Sequence, residues 1–147
     1  MESGIRPMQP DDIPAVCRLM GQLMGEEMSA ADMQSRLDWV NRSPIDWLYV
    51  YEDAGQVVGV LGFRLRERLE HPSRHGEISV LVTDAVVRWQ GIGRALVAFA
   101  EGLAHQHGCA GMFLVSGFKR QDEAHRFYER LGYAPTGYRF VKTFDEG

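Results

Sequence analysis

The segment RWQGIGRAL, residues 88–96, sets two glycines one residue apart where a run of branched aliphatics (ISVLVTDAVV, 78–87) gives way to a helical pattern. The first backbone N–H groups of a helix lack internal partners, and the aligned peptide dipoles favour negative charge there. A glycine turn opening a helix is therefore an anion site. Residue types exclude two of the known phosphate turns. A Walker loop requires Lys and then Ser or Thr after its last glycine, whereas Gly93 is followed by Arg94 and Ala95. A dinucleotide fingerprint requires a small third residue where Leu96 stands and an acidic residue about twenty positions on, where this chain has GMFLVSG.

The residues match a third pattern. Arg88-Trp89-Gln90-Gly91-Ile92-Gly93 resembles the Q/R-x-x-G-x-G/A motif of the GCN5-related N-acetyltransferase (GNAT) superfamily, and AHRFYERLGY (124–133) resembles that family's A-x-x-F-Y-x-x-x-G-F segment. The likeness in element order runs from residue 4 to about 144. It implies that the pyrophosphate of acetyl-CoA, the cosubstrate, rests on the N–H groups of residues 89–94 (Trp89, Gln90, Gly91, Ile92, Gly93 and Arg94), with charge added by Arg88 and Arg94. Gly91 and Gly93 would let the backbone come close, because a Cβ there would stand in the ligand's place. The strand before the turn is splayed in this family, so Leu81, Val82 and Thr83 are expected to pair with the pantetheine arm, with the Val82 N–H aimed at the thioester oxygen. Ser116-Gly117 stands where many members have an asparagine that touches pantetheine, which makes Ser116 a candidate for a shorter contact. Trp89 replaces a frequent glycine, and no proline follows Thr83.

Acetyl transfer to an amine needs a neutral amine and a protonated leaving thiolate. At an alkylamine pKa of roughly 10.4, only about one molecule in two thousand is neutral at pH 7, a deficit of about 4.6 kcal/mol. Glu77 is the candidate base. It opens the third long strand, fourteen residues before Gly91, the spacing at which some family members carry a catalytic glutamate. Strict alternation would place it with Ser79, Leu81 and Thr83 on one strand face. Tyr128, from the F-Y pair, is the candidate general acid, since a phenol with a pKa near ~10 stays protonated at neutral pH and can donate to sulfur. The histidines supply no metal site: His71 and His75 straddle Pro72, and His105 and His107 face different ways on a helix. Trp39, Trp47 and Tyr51 are candidates for an acceptor pocket or for core filling.

The elements that must position these residues follow from periodicity. Residues 4–8 suit a first strand; Ile13, Val16, Met20, Leu23 and Met24 recur at helical spacing up to Gly25; Ser29 and Asp32 resemble a capping box before Met33, Leu37 and Val40, with Pro44 beyond. WLYVY (47–51), the turn EDAG and QVVGVLGFRLRERL (56–69) read as a hairpin, HPSRHG as a break, and EISVLVT (77–83) as the third long strand. A helix follows with Ile92, Leu96, Phe99, Ala100 and Leu103 on one face, closed by Gly108. Then come a strand at 112–116, a helix at 122–131 stopped by Gly132, and a final strand at 138–144. The order β-α-α-β-β-β-α-β-α-β predicts an α/β (α+β) fold of the GNAT type, a mixed sheet of about 6–7 strands with about 4 helices, in one domain over residues 1–147.

Composition agrees with this. The apolar fraction of 45% and charged fraction of 24% suit a globular chain rather than a disordered one. A net charge of −4 opposes a general nucleic-acid binder, and no apolar stretch has the length of a membrane span. Absence of a signal-like N-terminus and of paired cysteine spacing predicts a cytoplasmic protein with free thiols. Residues 1–60 carry four bases and ten acids, and residues 61–147 twelve bases and ten acids. That asymmetry suits a cationic acceptor meeting an anionic cosubstrate. The expected activity is acetylation of a primary amine on a small, cationic molecule by direct attack, without a metal. Acetylation of protein lysine or N-terminal amines and a noncatalytic CoA-binding sensor are the alternatives. The aromatic segment YRFVKTF suggests edge pairing in a homodimer.

Overall fold

The computed structural model describes residues 4–88, 90–116 and 121–144, and the chain divides into two compact units, residues 1–114 and 115–147. In the first unit the order is β1 (Gly4–Pro7), α1 (Ile13–Met24), α2 (Ala30–Arg42), β2 (Asp46–Asp53), β3 (Gln56–Arg68), β4 (Ser73–Thr83), α3 (Ile92–Gln106) and β5 (Gly111–Leu114). The second unit contains α4 (Gln121–Arg130).

The five strands form one sheet in the order β1-β2-β3-β4-β5. The first three pairings are antiparallel, β2-β3 and β3-β4 through short connections and β1-β2 across the two intervening helices, and β4 and β5 run parallel with α3 crossing between them. One face is covered by α1 and α2, whose buried Val16, Leu19, Met33 and Leu37 pack with Val50, Val60 and Val82. The other face receives α3 through Leu96, Val97 and Ala100, all nearly inaccessible. Gly59 allows that approach: a Cβ there would stand 3.0 Å from Leu96 Cδ1 and 3.2 Å from Ile92 Cγ2.

Local chemistry starts and stops the helices much as the sequence reading expects. Gly25 closes α1 in the left-handed region at φ +81°. The Ser29 side chain accepts the Asp32 N–H at 3.1 Å to cap α2.

The sheet differs from expectation in three places. β4 begins at Ser73 rather than 77, so residues 73–76 of the expected break pair instead with β3 residues 65–68. β-propensity in the partner and available backbone donors outweigh the turn-like composition. Residues 138–144 form no strand, so the sheet of the described residues has five strands rather than 6–7. Alternating aromatics supply propensity but not a partner, and the second unit contains no described strand to pair with.

The third difference is a bulge. Gly62 pairs with Val80 and Phe63 with Ile78, which leaves Ser79 without an opposite residue. Cross-strand partners share a face, so Glu77, opposite Arg64, lies on the face of Val80 and Val82, partners of Gly62 and Val60. The expected grouping of Glu77 with Leu81 and Thr83 is thereby corrected. One extra residue moves the glutamate to the α1/α2 side of the sheet.

Candidate active site

β4 runs past the end of its parallel neighbour. Pairing with β5 covers His75–Ile78 and stops there, while pairing with β3 continues to Thr83. Among the described residues, 80–83 therefore have a sheet partner on one side only. Leu81, Val82 and Thr83 lie in this stretch; Val82 is buried and the other two are half-buried.

Beyond Thr83 the backbone turns through Asp84, a 3₁₀ turn at Ala85–Val87, and the glycine loop. Asp84 is buried at 7% exposure, and its carboxylate accepts the Val86 N–H at 3.1 Å, Arg18 Nη1 at 3.0 Å and Gln22 Nε2 at 3.3 Å. Burial alone would raise its pKa, but these three donors hold it below the ordinary aspartate value. Gln22 Oε1 in turn accepts the Ala85 N–H at 2.9 Å. The outer half of α1 thus braces the turn that leads into the loop. Sequence reasoning missed Arg18, Gln22 and Asp84; an aspartate directly after a strand and two residues before an unpaired N–H was the available signal.

The loop itself has the form an anion requires. Gly91 is exposed at φ +80° and caps α3 without any side-chain hydrogen bond, and among the described residues beyond its chain neighbours and its own helix no atom lies within 4 Å of where its Cβ would be. The N–H groups of Ile92, Gly93 and Arg94 belong to the first turn of α3, where a helix offers no internal acceptor. Gln90 is exposed with its N–H on the Val87 carbonyl at 3.3 Å; Arg88 is half-buried and Arg94 exposed. Trp89 lies outside the described residues. A diphosphate fits this opening: left-handed backbone, an uncapped fifteen-residue helix and two flanking guanidiniums.

Glu77 lies in a charged row crossing the sheet. Asp46 on β2 accepts Ser43 Oγ at 2.8 Å and Arg64 Nε at 2.6 Å. Arg64 Nη1 stands 3.7 Å from Glu77 Oε1, and Arg66 Nε 3.2 Å from the same oxygen. The Glu77 side chain is 14% exposed, and its Oε1 is buried without a hydrogen bond. Above the row, the Trp39 ring of α2 carries two guanidiniums, Arg36 Cζ at 5.4 Å and Arg64 Cζ at 5.9 Å from its centroid. Neither Asp46 nor the arginines were singled out by sequence. Of the other aromatic candidates, Trp47 is half-buried and packs on Phe63 and on His107, at 5.9 and 5.0 Å between ring centroids, and Tyr51 is half-buried in β2.

Tyr128 and Ser116 fall in the second unit. Tyr128 sits on α4, edge-on to Phe127 at 5.0 Å and to Tyr133 at 6.1 Å. Its carbonyl accepts the Leu131 and Tyr133 N–H groups, each at 3.0 Å, which ends the helix around Gly132 at φ +93°. Burial pushes the phenol up to about 12, so it holds its proton throughout the neutral range. Ser116 is half-buried and outside any regular element.

A mixed sheet whose fourth strand outruns its parallel neighbour and ends in an open helix N-terminus defines an acyltransferase frame, and comparison with known proteins agrees. The model of the acetyltransferase (GNAT) family matches residues 13–133, and the chain belongs to that family. It is an N-acetyltransferase, of a family that uses acetyl-CoA as donor. The chain is 35% identical to an aminoalkylphosphonate N-acetyltransferase of Salmonella typhimurium over 141 residues, 94% of this chain and 89% of that protein. It is 25% identical to a glucosamine 6-phosphate N-acetyltransferase of Trypanosoma brucei brucei, over 88% of this chain and 87% of the relative. A crystal structure described as a transcriptional regulator from Bacillus halodurans shares the fold, with a TM-score of 0.88 and 23% identity over 97% of this chain and 100% of the other.

Proposed function

We propose that this chain transfers the acetyl group of acetyl-CoA to the primary amine of a small molecule by direct attack. The observation that carries the proposal is the conjunction of an uncapped α3 N-terminus with the one-sided stretch of β4 immediately before it. In this reading, residues 89–94 with Arg88 grip the pyrophosphate, and Leu81, Val82, Thr83 and Ser116 bind the pantetheine arm; the Asp84 N–H on the Val58 carbonyl and the Val82–Val60 pairing turn the Val82 N–H toward β3, so the expected aim of that group at the thioester oxygen is not carried forward. The bound thioester supplies the electrophile. Glu77, directly or through water, takes the proton the attacking amine must lose. Tyr128 gives its proton to the sulfur as the C–S bond breaks and the C–N bond forms. No metal takes part.

The relatives support a small acceptor, because the two described above act on low-molecular-weight amines by name. The acidic residues 1–60 support an acceptor that arrives as a cation at its amine. The same proposal treats residues 1–147 as one catalytic domain, supported by a family match that spans both compact units, working in the cytoplasm as a homodimer.

Gly91→Val tests the carrying observation. A branched side chain both strains a left-handed residue and fills the open space above the loop. Calorimetry with CoA is expected to show binding to the wild type and at least ~10-fold weaker binding to the variant. Wild-type protein that gives no heat with CoA would sink the reading.

A further inference from the structure

Asp46, Arg64 and Glu77 stand in line on three neighbouring strands, Asp46 opposite Arg64 and Arg64 opposite Glu77. One guanidinium thus faces two carboxylates, and it is not shared evenly. Arg64 Nε donates to Asp46 Oδ1 at 2.6 Å, a charge-assisted hydrogen bond, whereas Arg64 Nη1 stays 3.7 Å from Glu77 Oε1, beyond hydrogen-bond range. Arg66 Nε is nearer, at 3.2 Å, yet Glu77 Oε1 is buried and accepts no hydrogen bond from it or from any other described group. Asp46 is the fixed partner of the three: it is 5% exposed, and its second oxygen accepts Ser43 Oγ at 2.8 Å.

This uneven sharing matters for a base. A carboxylate gripped by two guanidinium forks is stabilised as the anion and takes a proton reluctantly, whereas one whose charge is balanced but whose buried oxygen receives no N–H gains more on protonation. The other groups around Glu77 are no substitute for Asp46, because none is an acid. His75 shares its strand face opposite Arg66, Phe113 stands opposite it on β5, and Arg36 of α2 lies against the Trp39 ring. We infer that Asp46 is a positioning residue for the reaction: by holding Arg64 at Nε it keeps that guanidinium from closing on Glu77 and preserves the carboxylate as an acceptor for the ammonium proton. The inference rests on the proposed role of Glu77 as base and adds the group that sets its strength.

Carbon-13 NMR of the glutamate carboxyls tests this without any acceptor, with the Glu77 signal identified by its loss in Glu77→Gln. Asp46→Asn keeps the shape of the anchor and removes its charge. As Arg64 closes on Glu77, the titration midpoint of that signal is expected to fall by about one pH unit, and the acid limb of kcat/KM, followed by thiol release with the best acceptor among ethanolamine, phosphoethanolamine and spermidine, to fall with it. Asp46→Glu, which keeps the charge, should restore both. The lost charge also acts through space, so a second comparison removes the guanidinium. In an Arg64→Ala background the same Asp46→Asn change is expected to move the midpoint by less than about a third as much. An equal fall there, or no fall in the first comparison, overturns the inference. If Asp46→Asn fails to fold, Arg64→Lys decides. A single ammonium drawn to Asp46 leaves less positive charge beside Glu77, so the midpoint should rise; one that stays or falls overturns the inference. Should Glu77→Gln release thiol as fast as the wild type, Glu77 is not the base, and the NMR comparison alone decides whether Asp46 restrains Arg64.

Discussion

At the scale of single residues, function turns on protons held in place. Tyr128 has its pKa pushed up to about 12 by burial, which makes it a constant hydrogen-bond donor and a reluctant anion. A donor of this kind stabilises charge on sulfur without losing its proton in the resting enzyme. Tyr128→Phe is expected to lower kcat by ~10²-fold with little change in CoA affinity, measured by thiol release and calorimetry. Unchanged turnover would remove the tyrosine from the mechanism. Glu77 was legible as the candidate base, because its distance from Gly91 is a matter of counting. Its surroundings were not. Arg64 and Arg66 lie eleven to thirteen residues earlier on another strand, and a register of Arg64 with Glu77 exists only once the hairpin and its bulge are formed.

At the scale of elements, the first turn of α1 illustrates how a polar cluster fixes a helix to a sheet. Asp12, 6% exposed, accepts Arg6 Nη1 at 2.8 Å and Nη2 at 2.9 Å and the Gln9 N–H at 2.8 Å, while Arg6 also reaches Glu52 on β2 at 3.0 Å. The Arg6 hydrogen bonds, with the Gln9 N–H, hold the Asp12 pKa below its ordinary value despite burial. A carboxylate with a depressed folded pKa contributes stability that is present above its unfolded value, near 3.8, and lost as pH falls through the folded value. Asp12→Asn should therefore cost about 1–2 kcal/mol at pH 7, and the gap to wild type should narrow as the pH falls below 3.8 toward the lowered folded value. Urea denaturation across this range checks this; a gap independent of pH would show that the amide loses packing rather than charge. Periodicity identified α1 well, with Ile13 and Val16 buried as expected. It could not show that Arg18 and Gln22, on the remaining side of the same helix, reach Asp84.

At the scale of the whole molecule, the exposed apolar residues of the C-terminal segment stand out. Tyr138, Phe140, Val141 and Phe144 are 64–93% exposed within a stretch that carries no regular structure. A concentration of large apolar side chains in water marks a surface that gains free energy on being covered. The proposed homodimer uses this segment, and light scattering is expected to give a mass near twice 16.6 kDa that reverts toward one chain in Phe140→Ser/Phe144→Ser. A wild-type mass of one chain would end that proposal. The expected strand at 138–144 failed for a related reason. Aromatic alternation records a preference for burial, but a strand exists only where a neighbouring backbone completes its hydrogen bonds.

The sequence alone determined the family, the helix-opening glycine turn, the four helices and the residues at motif positions, because these depend on spacing and on backbone conformations that particular residue types permit. Tertiary structure decided which face Glu77 occupies, which arginines surround it, and where β4 loses its partner. A one-residue bulge and the point where two strands part leave no local signature, since both arise from pairing between segments far apart in the chain.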